Sequence, residues 1–327
     1  MRRNAHAGRT RSGGFGLSVF TRDEIDDIHL ATLEVLGGTG VFVEDDEALE
    51  IFASAGAKVD AASRVVKIPG YLVEEAIASA PSKLLLRGRN PKNDVVIEAG
   101  RVGFTTFGEG IKIVDPHTGK LREPTKQDVA DTAKVADYLD EVDVYERAVG
   151  AHEVPQEVVP LHNAEAAFAN TSKHIFMGPG DGFLLKKILE MAAAIVGGME
   201  RLKQAPIISF ITCPVSPLKL VKETCDIIME SAKAGMTCNI LSMAMAGGSS
   251  PVNLAGTLVT HNAEVLAGVT LSQLASKGAP IVYGSSTTAM DLRFASASVG
   301  SPECALINAG VACLARSYLL PSWVAGA

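Results

Sequence analysis

Aromatic residues make up only 5% of this 327-residue chain, and a single tryptophan, Trp323, is among them. Any core must therefore be filled by small aliphatic side chains, which suit close packing of helices on a sheet. Cysteine is scarce as well. Cys213, Cys225, Cys238, Cys304 and Cys313 form no CxxC pair, and no histidine stands at ligand spacing from them. A zinc ribbon and a disulfide framework are excluded, and the odd number fits reduced thiols in the cytoplasm. Cys225, Cys304 and Cys313 fall in apolar helical patterns and read as small core residues. No stretch of about 18 apolar residues runs without polar interruption, so nothing is expected to span a membrane.

Excess basic charge is lacking too. Thirty Lys and Arg face 37 Asp and Glu, for a formal net charge of −7. The one basic cluster is Arg2, Arg3, Arg9 and Arg11 among glycine and serine. Nucleic-acid binding is therefore not expected. The twin arginine is not followed by an apolar stretch, so an export signal is the weaker reading. An arm lying on the domain or on a neighbouring subunit is expected instead, which points to a homo-oligomer. What is present is an ordinary α/β composition, 47% apolar and 20% charged. That suffices for one domain of about 200–250 residues and a smaller one.

Residues 1–100 read as an arm and a small α+β lobe. Thr21 and Glu24 form a capping box, with Ile25, Ile28, Leu33 and Leu36 following at helical spacing. Extended runs at 65–68, 83–86 and 95–97 surround a second helix at 72–79, and the turn at 90–94 predicts a hairpin. From residue 101 the pattern becomes a regular alternation. Strands are predicted at 102–107, 143–149, 174–177, 207–212, 239–243, 281–283 and 318–324. Helices are predicted between them at 126–139, 161–172, 183–202, 218–234, 254–276 and 303–315. Thr125, Asp181, Asn253 and Ser301 signal helix starts, with Pro302 at a first helical position. Such alternation implies parallel βαβ units, in a doubly wound sheet or a TIM (β/α)8-type barrel. About seven strands are present where a barrel needs eight, and an open barrel exposes strand edges. The expected fold is an incomplete (β/α)8 barrel over 101–327, and such a fragment is expected to be inactive by itself.

In a barrel, the chemistry sits on the loops after the strands. Here these loops hold glycine at nearly every strand end: Gly108–Gly110, Gly150–Glu153, Gly178–Gly182, Met245–Pro251 and Gly284–Thr288 among them. One such glycine needs only a tight turn to explain it. A whole rim of them suits a large flat ligand approaching the backbone. The Gly178–Gly182 loop resembles a phosphate cradle in preceding a helix, but it lacks a lysine, and Asp181 would repel phosphate. Glu109, Glu153 and Asp181 all fall on the predicted rim. They read either as carboxylates for cation or proton handling, or as a helix cap and two solvated loop residues. No metal set is expected, because too few ligands lie close together. Phe107, Tyr283 and Trp323 read either as faces for a methylated ammonium or as core. No nucleophile elbow and no Ser/His/Asp or Cys/His set is visible.

Several segments together resemble the trimethylamine methyltransferase family. They are Asp115-Pro116-His117-Thr118-Gly119-Lys120-Leu121-Arg122, Cys213-Pro214-Val215-Ser216-Pro217-Leu218, Met245-Ala246-Gly247-Gly248-Ser249-Ser250-Pro251, and Gly284 through Asp291 to Gly300-Ser301-Pro302-Glu303. The ending, Leu320-Pro321-Ser322-Trp323-Val324-Ala325-Gly326-Ala327, resembles the segment just before pyrrolysine in the trimethylamine members. The resemblance implies a TIM barrel that moves a methyl group from trimethylamine to cobalt(I) of a separate corrinoid protein, as in methanogenesis. It also implies a chain that stops at the pyrrolysine codon, with no cofactor bound directly. By position, Glu109, Glu153 and Asp181 are assigned amine or proton handling, and Tyr283, Asp291 and Trp323 the substrate pocket. Gly247, Gly248, Ser285 and Thr287 are assigned to admitting the corrinoid edge. A glycine betaine-type methyltransferase of the same family is one alternative, and a non-catalytic binding or assembly subunit is another.

Overall fold

A computed structural model describes residues 18–325. The arginine-rich arm and the final Gly326-Ala327 lie outside the described residues. Two compact units emerge, one of residues 84–211 and one joining 18–83 to 212–325.

The segment 18–83 holds helices α1 (Arg22–Glu34), α2 (Asp46–Ser54) and α3 (Gly70–Ser79), with strands β1 (Val41–Val43), β2 (Lys58–Asp60) and β3 (Val65–Lys67). The expected capping box starts α1: Thr21 N donates to Glu24 Oε2 at 2.8 Å, and Glu24 N donates to Thr21 Oγ1 at 3.3 Å. Ile25, Ile28 and Thr32 form the buried face of α1. β1 and β2 both pair antiparallel to β3. The patterns of β1, α2 and β2 are too short to stand out from the flanking turns.

In the unit 84–211, β4 (Lys83–Leu86) and β5 (Val95–Glu98) pair in the hairpin expected from the 90–94 turn. A second hairpin, β6 (Ile113–Val114) and β7 (Leu121–Arg122), carries the Asp115–Arg122 segment. Helices α4 (Lys126–Tyr138), α5 (Val159–Asn170), α6 (Gly182–Val196) and α7 (Met199–Gln204) then alternate with β8 (Val144–Glu146), β9 (His174–Met177) and β10 (Ile208–Thr212). These three strands are parallel and consecutive in the sheet. Two expectations need correction. Residues 102–107 form no regular strand, only one isolated parallel bridge at Thr105–Val144, followed by another at Gly110–Val149. Side chains replace the ladder there: Phe104 N donates to Asp143 Oδ2 at 2.9 Å, and Thr106 Oγ1 donates to Glu146 O. The single helix expected at 183–202 breaks between α6 and α7, where Gly197 and Gly198 take φ of 90° and 124°.

Lys173 anchors this unit. It is almost fully buried, and its Nζ donates to the carbonyls of Ala136 at 2.7 Å, Leu139 at 2.6 Å and Val142 at 2.5 Å. Those oxygens end α4 and the loop after it, where the helix leaves carbonyls unpaired. Burial pulls the Lys173 pKa down, opposed by Asp137. Lys173→Met is expected to lower stability by about 2–3 kcal/mol, read from the urea midpoint at unchanged slope.

The segment 212–325 supplies β11 (Lys219–Leu220), α8 (Lys222–Ala234), β12 (Cys238–Ser242), β13 (Met245–Ala246), α9 (Leu254–Ala275), β14 (Ile281–Ser285), β15 (Thr288–Asp291), β16 (Ser296–Ala297), α10 (Pro302–Ser317) and β17 (Ser322–Val324). β12, β14 and β17 run parallel, in that order. β11 pairs with β1, so residues 218–220 leave the expected helix to join the sheet of the first segment. α9 is buried on nearly every side from Thr257 to Gln273. α1, α2, α3, α8 and α10 all pack on it. Residues 18–83 therefore do not stand apart as a lobe. An all-round apolar helix needs cover on every side, and α1, α2 and α3 supply part of it. The fold class is α/β, with the parallel strand–helix alternation of a TIM-type barrel.

Candidate functional site

In the unit 84–211, the loop after β8 brings Arg147 against Glu109, with both guanidinium Nη atoms forked on the two carboxylate oxygens. Two glycines make this approach possible. A Cβ on Gly150 would lie 2.6 Å from Glu109 Oε1, and one on Gly108 would lie 2.7 Å from Arg147 O. Glu109 is thus held by a two-pronged arginine contact. Glu153 accepts from Lys126 N at 2.7 Å, at the first turn of α4. Asp181 accepts from Leu184 N at 2.8 Å and caps α6. The three acids occupy three separate stations, two of them at helix N-termini, where a carboxylate offsets unpaired N–H groups. Among the described residues no group of three or more His, Cys, Asp or Glu could hold a metal.

The hairpin segment Asp115–Arg122 proves structural in its contacts. Asp115 Oδ1 accepts from His117 N and Thr118 N, and Arg122 Nε donates to Asp115 Oδ2 at 2.9 Å. Arg122 also grips Asp128, which closes the box at the start of α4. Hydrogen bonds from Arg122 hold the Asp128 pKa down at about 2.

The other unit contains a buried polar cluster absent from the sequence-based expectations. Glu264 on α9 is 1% exposed. It accepts from Ser216 Oγ at 2.7 Å, Leu218 N at 3.0 Å and Ser242 Oγ at 2.6 Å. Burial raises its pKa, against those three donors. The Cys213–Leu218 segment is thereby tied to the C-terminal end of β12. One turn earlier on α9, His261 Nδ1 lies 2.8 Å from Thr287 Oγ1, and that hydroxyl donates to Ser242 O at 3.2 Å. His261 is held on this side through Nδ1. Its Nε2 is buried without a protein partner. Burial drives the His261 pKa down to about 3, so the ring is neutral. A signal for this cluster does exist in the sequence: His261 and Glu264 are the two ionisable residues of a buried 22-residue helix that is otherwise uncharged.

Tyr283, expected in the substrate pocket, is fully buried, and its hydroxyl donates to Asn262 Oδ1 at 2.6 Å, so it faces α9. Strand alternation then turns Gly284 to the opposite face, and Trp323, in register with Gly284, lies half-buried on that face. Asp291 accepts from Arg293 N at 2.8 Å and Phe294 N at 3.2 Å, closing the turn between β15 and β16. Gly247 takes φ of 83° in the turn after β13, and a Cβ on Gly248 would lie 2.6 Å from Met290 Sδ. Ser285 and Thr287 are fully buried, with Thr287 N donating to Ser285 Oγ at 3.1 Å. The Ser285 and Thr287 hydroxyls are thus turned inward, and Met290 lies against Gly248. Of the expected pocket residues only Trp323 offers an aromatic face on the side of the strands away from α9.

Known proteins supply an independent line. A family model described as trimethylamine methyltransferase (MTTB) matches residues 6–327. The chain is 53% identical over 326 residues to a trimethylamine methyltransferase of Desulfitobacterium hafniense, covering 100% of this chain and 66% of that protein. It is 45% identical to one from Methanosarcina mazei, covering 99% and 66%. A glycine betaine methyltransferase of Desulfitobacterium hafniense is 34% identical over 93% of this chain and 63% of its own length. The chain thus spans about two thirds of the length of the curated relatives it matches. In solved structures, it resembles the monomethylamine methyltransferase of Methanosarcina barkeri with a TM-score of 0.53 at 13% identity, covering 92% of this chain and 66% of that one. That likeness concerns the fold alone. A family model over residues 6–327 and relatives 53% and 45% identical along the chain lead to one assignment: the chain belongs to the trimethylamine methyltransferase family.

Proposed function

We propose that this chain acts in methyl transfer from trimethylamine to the corrinoid of a partner protein, in the trimethylamine branch rather than the betaine branch of its family. The observation that carries the branch is the gradient of likeness, 53% and 45% to trimethylamine methyltransferases against 34% to a betaine methyltransferase. The reduced cobalt of that corrinoid supplies the nucleophile, and pyrrolysine is the electrophile implied for this branch. Methylamine use in the cytoplasm, as in methanogenesis, is the setting. None of the described residues is assigned to holding the corrinoid. What this chain contributes is positioning. A methyl group leaves nitrogen readily only when the nitrogen carries positive charge, so the site must hold a small alkylated cation in a fixed orientation. Trp323 offers a face for such a cation by quadrupole attraction, worth about 0.5–2 kcal/mol. Glu109 is held in place on its loop by the Arg147 fork.

The test is product identity. The protein at the full length of its relatives, supplied with trimethylamine and a reduced corrinoid protein, is expected to release dimethylamine and to leave glycine betaine untouched. Release of dimethylglycine from betaine, with none of the dimethylamine, overturns the branch assignment.

A further inference from the structure

In the strand trio β12, β14 and β17, one face is fully accounted for. Ile240 meets α9 at Gly268, Ser242 is bonded to Glu264, and Tyr283 is bonded to Asn262. Alternation turns Asn239, Leu241, Val282 and Gly284 the other way, which in a (β/α)8 barrel is the interior. Asn239 is 0% exposed, yet neither its Oδ1 nor its Nδ2 has a hydrogen-bond partner. Buried amides of this kind are rare, because each unmet polar atom costs about 1–3 kcal/mol. Gly284 makes room for it, since a Cβ at that position would fall on the Asn239 amide. In register with Gly284 stands Trp323, on the same face. A strand interior that gives up a side chain to seat an unpaired amide, with an indole in register on the next strand, is arranged for a ligand, not for packing.

We propose that Asn239 is a substrate-positioning residue whose Oδ1 accepts the single N–H of a tertiary ammonium in the complex formed before reaction, with Gly284 providing the space and Trp323 a ring on the next strand. This rests on the methylated-amine reading above and adds the group that tells a tertiary from a quaternary nitrogen. A trimethylammonium ion has one N–H to donate, whereas tetramethylammonium has the same charge and a fourth methyl group in place of that N–H. An amide oxygen separates the two, and an aromatic face by itself does not.

The experiment is calorimetric titration of the full chain and its Asn239→Leu variant with trimethylamine hydrochloride and with tetramethylammonium chloride at neutral pH. The wild type is expected to prefer trimethylamine. Asn239→Leu is expected to weaken trimethylamine by about ten- to a hundredfold and to leave tetramethylammonium within about twofold. Asn239→Asp, which keeps an acceptor oxygen in the same place, is expected to restore trimethylamine binding. Asn239→Ala carries the same comparison should leucine prevent folding. Equal loss of both cations, or no loss of either, shows that the amide meets only an ordered water or supports structure, and sinks the assignment while leaving the amine reading intact. A wild-type chain that retains neither cation sinks the amine reading and this inference together.

Discussion

Glu264→Ala is expected to destabilise the protein by about 3–5 kcal/mol, more than the loss of an ordinary buried hydrogen bond. The carboxylate is 1% exposed and accepts three hydrogen bonds, from Ser216 Oγ, Ser242 Oγ and Leu218 N. Alanine leaves three donors facing a cavity, and the backbone N–H of Leu218 cannot turn elsewhere. The Cys213–Leu218 loop should then loosen, because Glu264 is what ties it to the end of β12. Urea unfolding reads the loss. Limited proteolysis localises it, with new cleavage expected between Cys213 and Leu220. Glu264→Gln keeps one acceptor oxygen and should cost about 1–2 kcal/mol, since its amide N–H₂ now meets a donor. A Glu264→Ala variant as stable as the wild type would show that the cluster does not hold the loop.

The second large effect is a loss of stability in mild acid, from two buried neutral histidines. His261 is pushed down to about 3 and His174 to about 4, in both cases chiefly by burial. His174 holds its place through Arg87 O at 3.0 Å and Ser209 Oγ at 2.7 Å. In the unfolded chain each imidazole takes up a proton near pH 6.5, while in the folded chain it does not. The unfolded state therefore binds more protons between pH 6.5 and about 4, and stability falls as pH falls. Each ring contributes on the order of 2–3 kcal/mol of loss by pH 4. Glu264 works in the opposite sense, because its raised pKa lets it take a proton while still folded. Urea midpoints measured from pH 7 to pH 4 should fall steeply, and His261→Gln should flatten the curve by about half. A flat wild-type profile over that range would mean that the rings are charged in the native state.

Much of the fold is legible in the sequence, for reasons visible at single residues. Short-range chemistry is written locally: the Thr21–Glu24 box, the caps at Asp181, Asn253 and Ser301, and the alternation that sets the bounds of β9 at His174 and Met177. Helix α6 ends sooner than its apolar pattern predicts, because Gly197 and Gly198 break a run that continues into α7. The 102–107 run has the composition of a strand, but Asp143 and Glu146 take its ladder bonds, and no local pattern reports a partner about forty residues away.

The site is less legible. The acids Glu109, Glu153 and Asp181 are recognisable by type and loop position, and so is Trp323. Whether an acid caps a helix, pairs with an arginine or stands open depends on what arrives from elsewhere in the chain. Arg147 reaches Glu109 and Lys126 N reaches Glu153 only after the strands are paired.

By itself, then, the sequence determined most of the helices and parallel strands, where most of those helices begin, and the family to which the chain belongs. Each of these is set by residues within a few positions of one another, or by order along the chain. Only the tertiary structure decided that residues 18–83 wrap α9, that Tyr283 faces a helix while Gly284 and Trp323 face the other way, and that Asn239 is buried without a partner. Those outcomes depend on which face of a strand the helices cover, and a side chain's face becomes an environment only when distant segments are brought against it.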